Sequence, residues 1–167
     1  MKRLLLVAGL ALASVALHAA PVNVQGYAHV KSVGSVDEYT LQSNGLQVLL
    51  MPEHSSPTLT FMVTYRVGSR NEVTGTTGST HLLEHLMFKG SPGHSTVWAE
   101  FTKRGLRANG TTWLDRTNYF ASFAANPDNQ RWYLGWLADA MVNSFIARKD
   151  LDTEMTVVRN DRTEAHR

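Results

Sequence analysis

Apolar and polar residues change period several times along the chain, and the changes predict alternating strands and helices. Residues 39–41 and 46–50 are short apolar runs flanking Ser43-Asn44-Gly45, and Asn-Gly between two such runs predicts a hairpin. Leu59, Phe61, Val63, Tyr65 and Val67 alternate with Thr60, Met62, Thr64 and Arg66, the period-two signature of a half-buried strand of about nine residues. A Gly, Ser and Thr-rich loop spans residues 68–79. Beyond it Leu82, Leu83, Leu86 and Met87 recur at helical spacing, with Ser79 or Thr80 as cap and residues 89–93 as the stop. A second helix is predicted over residues 96–104, closed by Gly105, then strands over 107–113 and 117–124 joined by Leu114-Asp115-Arg116. Asn126-Pro127-Asp128 opens a third helix carrying Trp132, Trp136, Leu137, Ala140, Met141 and Phe145 at core spacing. A fourth helix covers residues 150–166, with Leu151, Met155 and Val158 as its apolar stripe. Only residues 21–35 lack a clear period and read as a flexible lead-in. The fold class expected is α+β, with helices packed on one face of a mainly antiparallel sheet.

The first twenty residues stand apart from this pattern. Lys2 and Arg3 precede fourteen apolar residues, and Leu17-His18-Ala19-Ala20 supplies small residues for cleavage. Such a stretch is short for a bilayer span and predicts a cleaved signal peptide over residues 1–20, hence a periplasmic or secreted protein without a membrane anchor. Removing that segment leaves fourteen basic and fourteen acidic residues. The balance, with no basic run, points away from nucleic acid. The chain has no cysteine, which excludes a disulfide scaffold, thiol catalysis and zinc–thiolate sites.

The candidate chemistry lies in His81-Leu82-Leu83-Glu84-His85. Histidines four apart on a helix project about 40° apart, from one face, and two imidazole nitrogens there suit a zinc ion. Glu84, beside them, can take a proton from a metal-activated water. The bland alternative is a buried, hydrogen-bonded histidine pair. Glu154 and Asp161 are seven apart on the last helix and therefore share a face. His54, His94 and His166 read as surface residues.

The order H-x-x-E-H is the inverzincin signature, and the chain resembles the family of zinc metallopeptidases that includes pitrilysin, insulysin and the mitochondrial processing peptidases. Val67-Gly68-Ser69-Arg70-Asn71-Glu72 resembles the family's V-G-S-R-x-E loop, and the motif runs on as Leu86-Met87-Phe88-Lys89-Gly90 as in the family. Gly105, Asn109, Thr112, Asp115, Thr117 and Tyr119 resemble its G-x-x-x-N-A-x-T-x-x-D-x-T-x-Y run. The resemblance implies one zinc per chain held by His81, His85 and Asp161, Glu84 as general base, Glu154 as the auxiliary catalytic glutamate, and Asn109 and Gly110 in contact with substrate. The family carries glutamate where Asp161 stands and alanine where Gly110 stands. If the backbone is unchanged, aspartate falls short of the metal by about one C–C bond, ~1.5 Å.

The resemblance further implies a zinc metalloendopeptidase acting on peptides or small unfolded proteins, with a second homologous domain or subunit closing round the substrate. Residues 36–167 are expected to form its N-terminal domain, incomplete at the C-terminus. The alternative is a non-catalytic family member, or a stranded fragment, that binds peptides or a partner.

Overall fold

The computed structural model describes residues 20–164 and divides into two compact units, meeting at Ser55 and Ser56. The expected signal peptide lies almost wholly outside the described residues, and so does His166. The first unit is a three-stranded antiparallel sheet, β1 (Tyr27–Val33), β2 (Val36–Leu41) and β3 (Gln47–Leu50), in that spatial order. The expected hairpin is present: Leu41 N donates to Leu46 O across the turn, and Gly45 takes a positive φ of 76°. β1 corrects the expectation of an irregular lead-in. Its register slips between His29 and Lys31, which breaks the alternation that a sequence pattern would reveal.

The second unit holds the chemistry. Its sheet is built from β4 (Thr58–Tyr65), β5 (Arg107–Thr112) and β6 (Thr117–Ala124), all antiparallel, in the order β4-β6-β5. Among the described residues its α-helices are α1 (Ser79–Met87), α2 (Val97–Arg104), α3 (Pro127–Asn143) and α4 (Arg148–Glu164). The class is α+β, as expected.

The alternating pattern of the strands gives this sheet one core face. Tyr119, Ala121 and Phe123 of β6 are buried, and Leu59, Phe61, Val63 and Tyr65 of β4 line the same core. Met87 and Phe88 from the end of α1, Val97 and Phe101 from α2, and Tyr133, Trp136, Leu137 and Ala140 from α3 pack onto it. A buried aromatic of this size contributes roughly 1.5–3 kcal/mol, so Phe101, Tyr133 and Trp136 anchor both helices. Asn126 caps α3, its Oδ1 accepting from Asp128 N at 2.8 Å and Asn129 N at 3.3 Å. Phe145 falls beyond the end of that helix and is exposed.

A separate small cluster, Leu82 and Leu86 of α1 with Leu151 and Val158 of α4, joins those two helices. Leu83 and Met155, expected in the apolar stripes, are exposed instead. The seam is one residue wide on each helix, and Glu154, not Met155, turns inward.

His94 corrects its surface assignment. It is largely covered, and its Nδ1 lies 2.9 Å from Asp139 Oδ2, while buried Ser91 Oγ donates to the same oxygen and Asn143 Nδ2 to Oδ1. These contacts fasten the loop after α1 to α3. Hydrogen bonds from Ser91, Asn143 and His94 hold the Asp139 carboxyl well below the usual carboxylate range. A depressed folded pKa means the contribution is full above the ordinary value of about 3.9 and lost as pH falls through the folded value. Asp139→Asn is therefore expected to melt at a lower temperature than wild type at neutral pH. Thermal melts repeated at falling pH should show that gap narrowing in acid.

Candidate metal centre

The elements above bring His81, Glu84 and His85 of α1 together with Glu154 and Asp161 of α4. The first control is the start of α1. Its cap position is Gly78, at φ 95°, without a side-chain cap of its own. The expected cap, Ser79 or Thr80, is replaced by a carboxylate from the preceding loop: Glu72 Oε2 accepts from Gly78 N at 2.7 Å and Oε1 from Thr80 N at 2.9 Å. An anion at this positive end of the helix both satisfies free N–H groups and complements the dipole. The loop is itself tied to the β5–β6 turn, with Ser69 N donating to Trp113 O and Arg70 N to Leu114 O. Sequence reasoning missed Glu72 as a cap because it lies six and eight residues before the N–H groups that donate to it; its place in the V-G-S-R-x-E loop was the available signal.

One turn on, His81 Nε2 and His85 Nε2 stand 3.1 Å apart. Glu84 Oε2 lies 3.9 Å from His81 Nε2, and the three ligand atoms fall within 4.8 Å of one another. From α4, Asp161 Oδ2 comes within 4.0 Å of His81 Nε2 and 3.9 Å of His85 Nε2. Neighbouring ligands of a tetrahedral zinc with bonds of 2.0–2.1 Å are separated by about 3.3 Å. The histidine pair fits that spacing. Asp161 stands about 0.6 Å too far, less than the full bond length expected from its shorter side chain.

The protonation of the imidazoles also suits a metal. His85 Nδ1 is 2.8 Å from Glu154 Oε2, and a carboxylate can only accept, so Nδ1 carries the proton and Nε2 presents its lone pair. Burial, and then the neighbouring His85, lower the pKa of His81 and favour its neutral form. Glu154 is buried; desolvation alone would raise its pKa, but hydrogen bonds from Lys89 and His85 outweigh that and hold it low.

Glu84 is buried too, and desolvation raises its pKa above the ordinary carboxylate range. Thr112 Oγ1 on β5 donates to its Oε2 at 3.4 Å. Its other oxygen lies against Gly110, where an added Cβ would fall only 2.3 Å from Oε1. Gly110 thus makes room for the carboxylate, a role that its strand position did not suggest. Asn109 is exposed on β5, an edge strand of its sheet among the described residues, and its Oδ1 accepts from Gly110 N at 2.9 Å. A pocket of about 200 Å³ opens here, bounded by Glu84, His85, Phe88, Trp98, Asn109 and Glu154.

The model of the insulinase family, peptidase family M16, matches residues 47–167. The zinc protease PqqE of Helicobacter pylori is 33% identical over 80% of this chain and 30% of its own length. The mitochondrial-processing peptidase subunit beta of Caenorhabditis elegans is 31% identical over 75% of this chain and 27% of its own. Among solved structures, the first half of the periplasmic protease PqqL from Escherichia coli superimposes with a TM-score of 0.72 at 23% identity, covering 84% of this chain and 31% of that one. The chain spans about three-tenths of the length of these relatives. The family model spans most of the chain, the segment that carries α1 and α4 included, and the chain therefore belongs to the insulinase family, peptidase family M16.

Proposed function

We propose that this chain is the zinc-bearing catalytic part of a metalloendopeptidase that cuts peptides or small unfolded proteins. The observation that carries the reading is the pair of imidazole nitrogens 3.1 Å apart, with the Glu84 carboxylate beside them. His81, His85 and Asp161 would hold one zinc per chain. Bound there, zinc supplies Lewis-acid activation of water and polarises the scissile carbonyl.

The chain's own residues do the rest. Glu84, desolvated and steadied by Thr112, accepts a proton at its carboxylate from the attacking water and delivers it to the leaving amine nitrogen. Glu154 holds the His85 ring through Nδ1. A substrate strand would lie along β5, where Asn109 and Gly110 offer backbone pairing at the sheet edge. For that, the Asn109 side chain must release Gly110 N–H.

The relatives are about three times longer, and one solved neighbour is itself the first half of its protein. This supports a second homologous half that completes the substrate chamber. A periplasmic or secreted location fits the apolar leader and the periplasmic neighbour. Among the described residues no helix is long and apolar enough to cross a membrane.

A peptide-binding, non-catalytic role is the second reading, favoured by the long Asp161 distances. Cleavage of a quenched fluorescent peptide, measured beside metal content for wild type and Glu84→Gln, separates the two. The catalytic reading expects equal zinc in both and a loss of at least ~100-fold in cleavage in the variant. Equal cleavage by both proteins would overturn the assignment of Glu84. Zinc without cleavage in either would move the chain to the second reading unless adding the complementary half restores activity.

A further inference from the structure

The Glu154 carboxylate has two distinct partners, and only one of them faces the metal centre. Oε2 meets His85 Nδ1 at 2.8 Å, while Oε1 meets Lys89 Nζ at 2.5 Å. Lys89 follows the end of α1, where its backbone N donates to Leu86 O, so its ammonium is anchored to the helix that carries the histidines. Glu154 comes from α4 and is 8% exposed. A buried carboxylate bound at one oxygen only can rotate about its last bond; bound at both, its plane is fixed. Taking it out of water without a cation nearby is also costly.

We propose that Lys89 is a positioning residue for the metal centre, acting through Glu154 to fix the orientation and tautomer of His85. The ammonium clamps Oε1, the opposite oxygen is aimed at Nδ1, and Nε2 is left facing His81 Nε2 as an acceptor. The same contact ties the end of α1 to the middle of α4, so the spacing between the histidines and Asp161 depends on it. The sequence places Lys89 in the helix stop and in the run that follows the motif; its link to Glu154, sixty-five positions on, exists only in the fold.

The inference rests on the metal-binding reading of the site, and its test is built to fail separately. In the metal-free chain, ¹⁵N NMR of labelled histidine should find His85 protonated at Nδ1 alone. Lys89→Met should give a mixture of tautomers and a zinc affinity, read by competition with a chelating dye, weaker by roughly 10-fold. Lys89→Arg, whose guanidinium can bind the same oxygen, should restore both. Lys89→Gln serves as a second variant should the methionine protein lose its cooperative melt. Wild-type tautomer and zinc affinity in whichever variant stays folded would overturn the proposal. Unfolding of both would assign Lys89 to the fold and overturn it as well. A fixed His85 tautomer in a wild-type chain that takes up no zinc would instead overturn the metal-binding reading, leaving the Lys89–Glu154–His85 link in place.

Discussion

Gly68→Ala is expected to destabilise the second unit by about 3 kcal/mol or more and to weaken metal binding with it. The reason is space, since its backbone is extended at φ −153°. A Cβ on Gly68 would sit 2.2 Å from Trp113 O and 2.7 Å from Leu114 O, both backbone atoms of the β5–β6 turn. No side-chain rotation can relieve that, so the loop or the turn must move. Moving the loop breaks the Ser69 and Arg70 hydrogen bonds to the turn. It also carries Glu72 away from Gly78 N and Thr80 N, uncapping the helix that presents His81. Loss of such a cap alone is worth about 1 kcal/mol. Gly135→Ala in α3 is the control, because nothing lies within 4 Å of its Cβ position. That change should be neutral or stabilise by about 0.5–1 kcal/mol. Chemical denaturation of the three proteins gives the comparison, with unchanged stability in Gly68→Ala as the result that sinks it.

Asp161→Glu should tighten zinc binding on the order of tenfold, the equivalent of about 1.4 kcal/mol. The aspartate oxygen stands 3.9–4.0 Å from the two imidazole nitrogens, whereas ligands sharing a zinc sit about 3.3 Å apart. One further methylene covers that difference. The side chain is 46% exposed, so the longer acid meets open space and does not overpack the α1–α4 seam. Competition titration against a zinc-chelating dye reads the affinity. An unchanged or weaker affinity would mean that position 161 is not a ligand.

The parts of the fold most legible in the sequence are those where one physical rule acts locally. β4 and β6 alternate because one sheet face is buried, and Asn126-Pro127 starts α3 through a cap and a preset φ. The histidines of α1 converge because four residues make little more than one turn. What stayed hidden depends on contacts between distant segments. β1 was lost because a register slip disrupts its period. Leu83 and Met155 look apolar enough for the core, yet the α1–α4 seam is narrow and takes Leu82, Leu86 and Val158. Glu72, Thr112 and Lys89 act on the site from a loop, a strand and a helix end, and no spacing rule brings them together. Gly110 is expected from the resemblance to contact substrate, and only the fold shows the Glu84 carboxylate lying against it.

The central claim is that His81 and His85 jointly hold a zinc ion. Elemental analysis after exhaustive dialysis against trace zinc, on wild type, His81→Ala and His85→Ala, addresses it without any need for activity. One zinc per wild-type chain and none in either variant is the predicted result. A wild-type chain without zinc, or variants that keep it, would contradict the account.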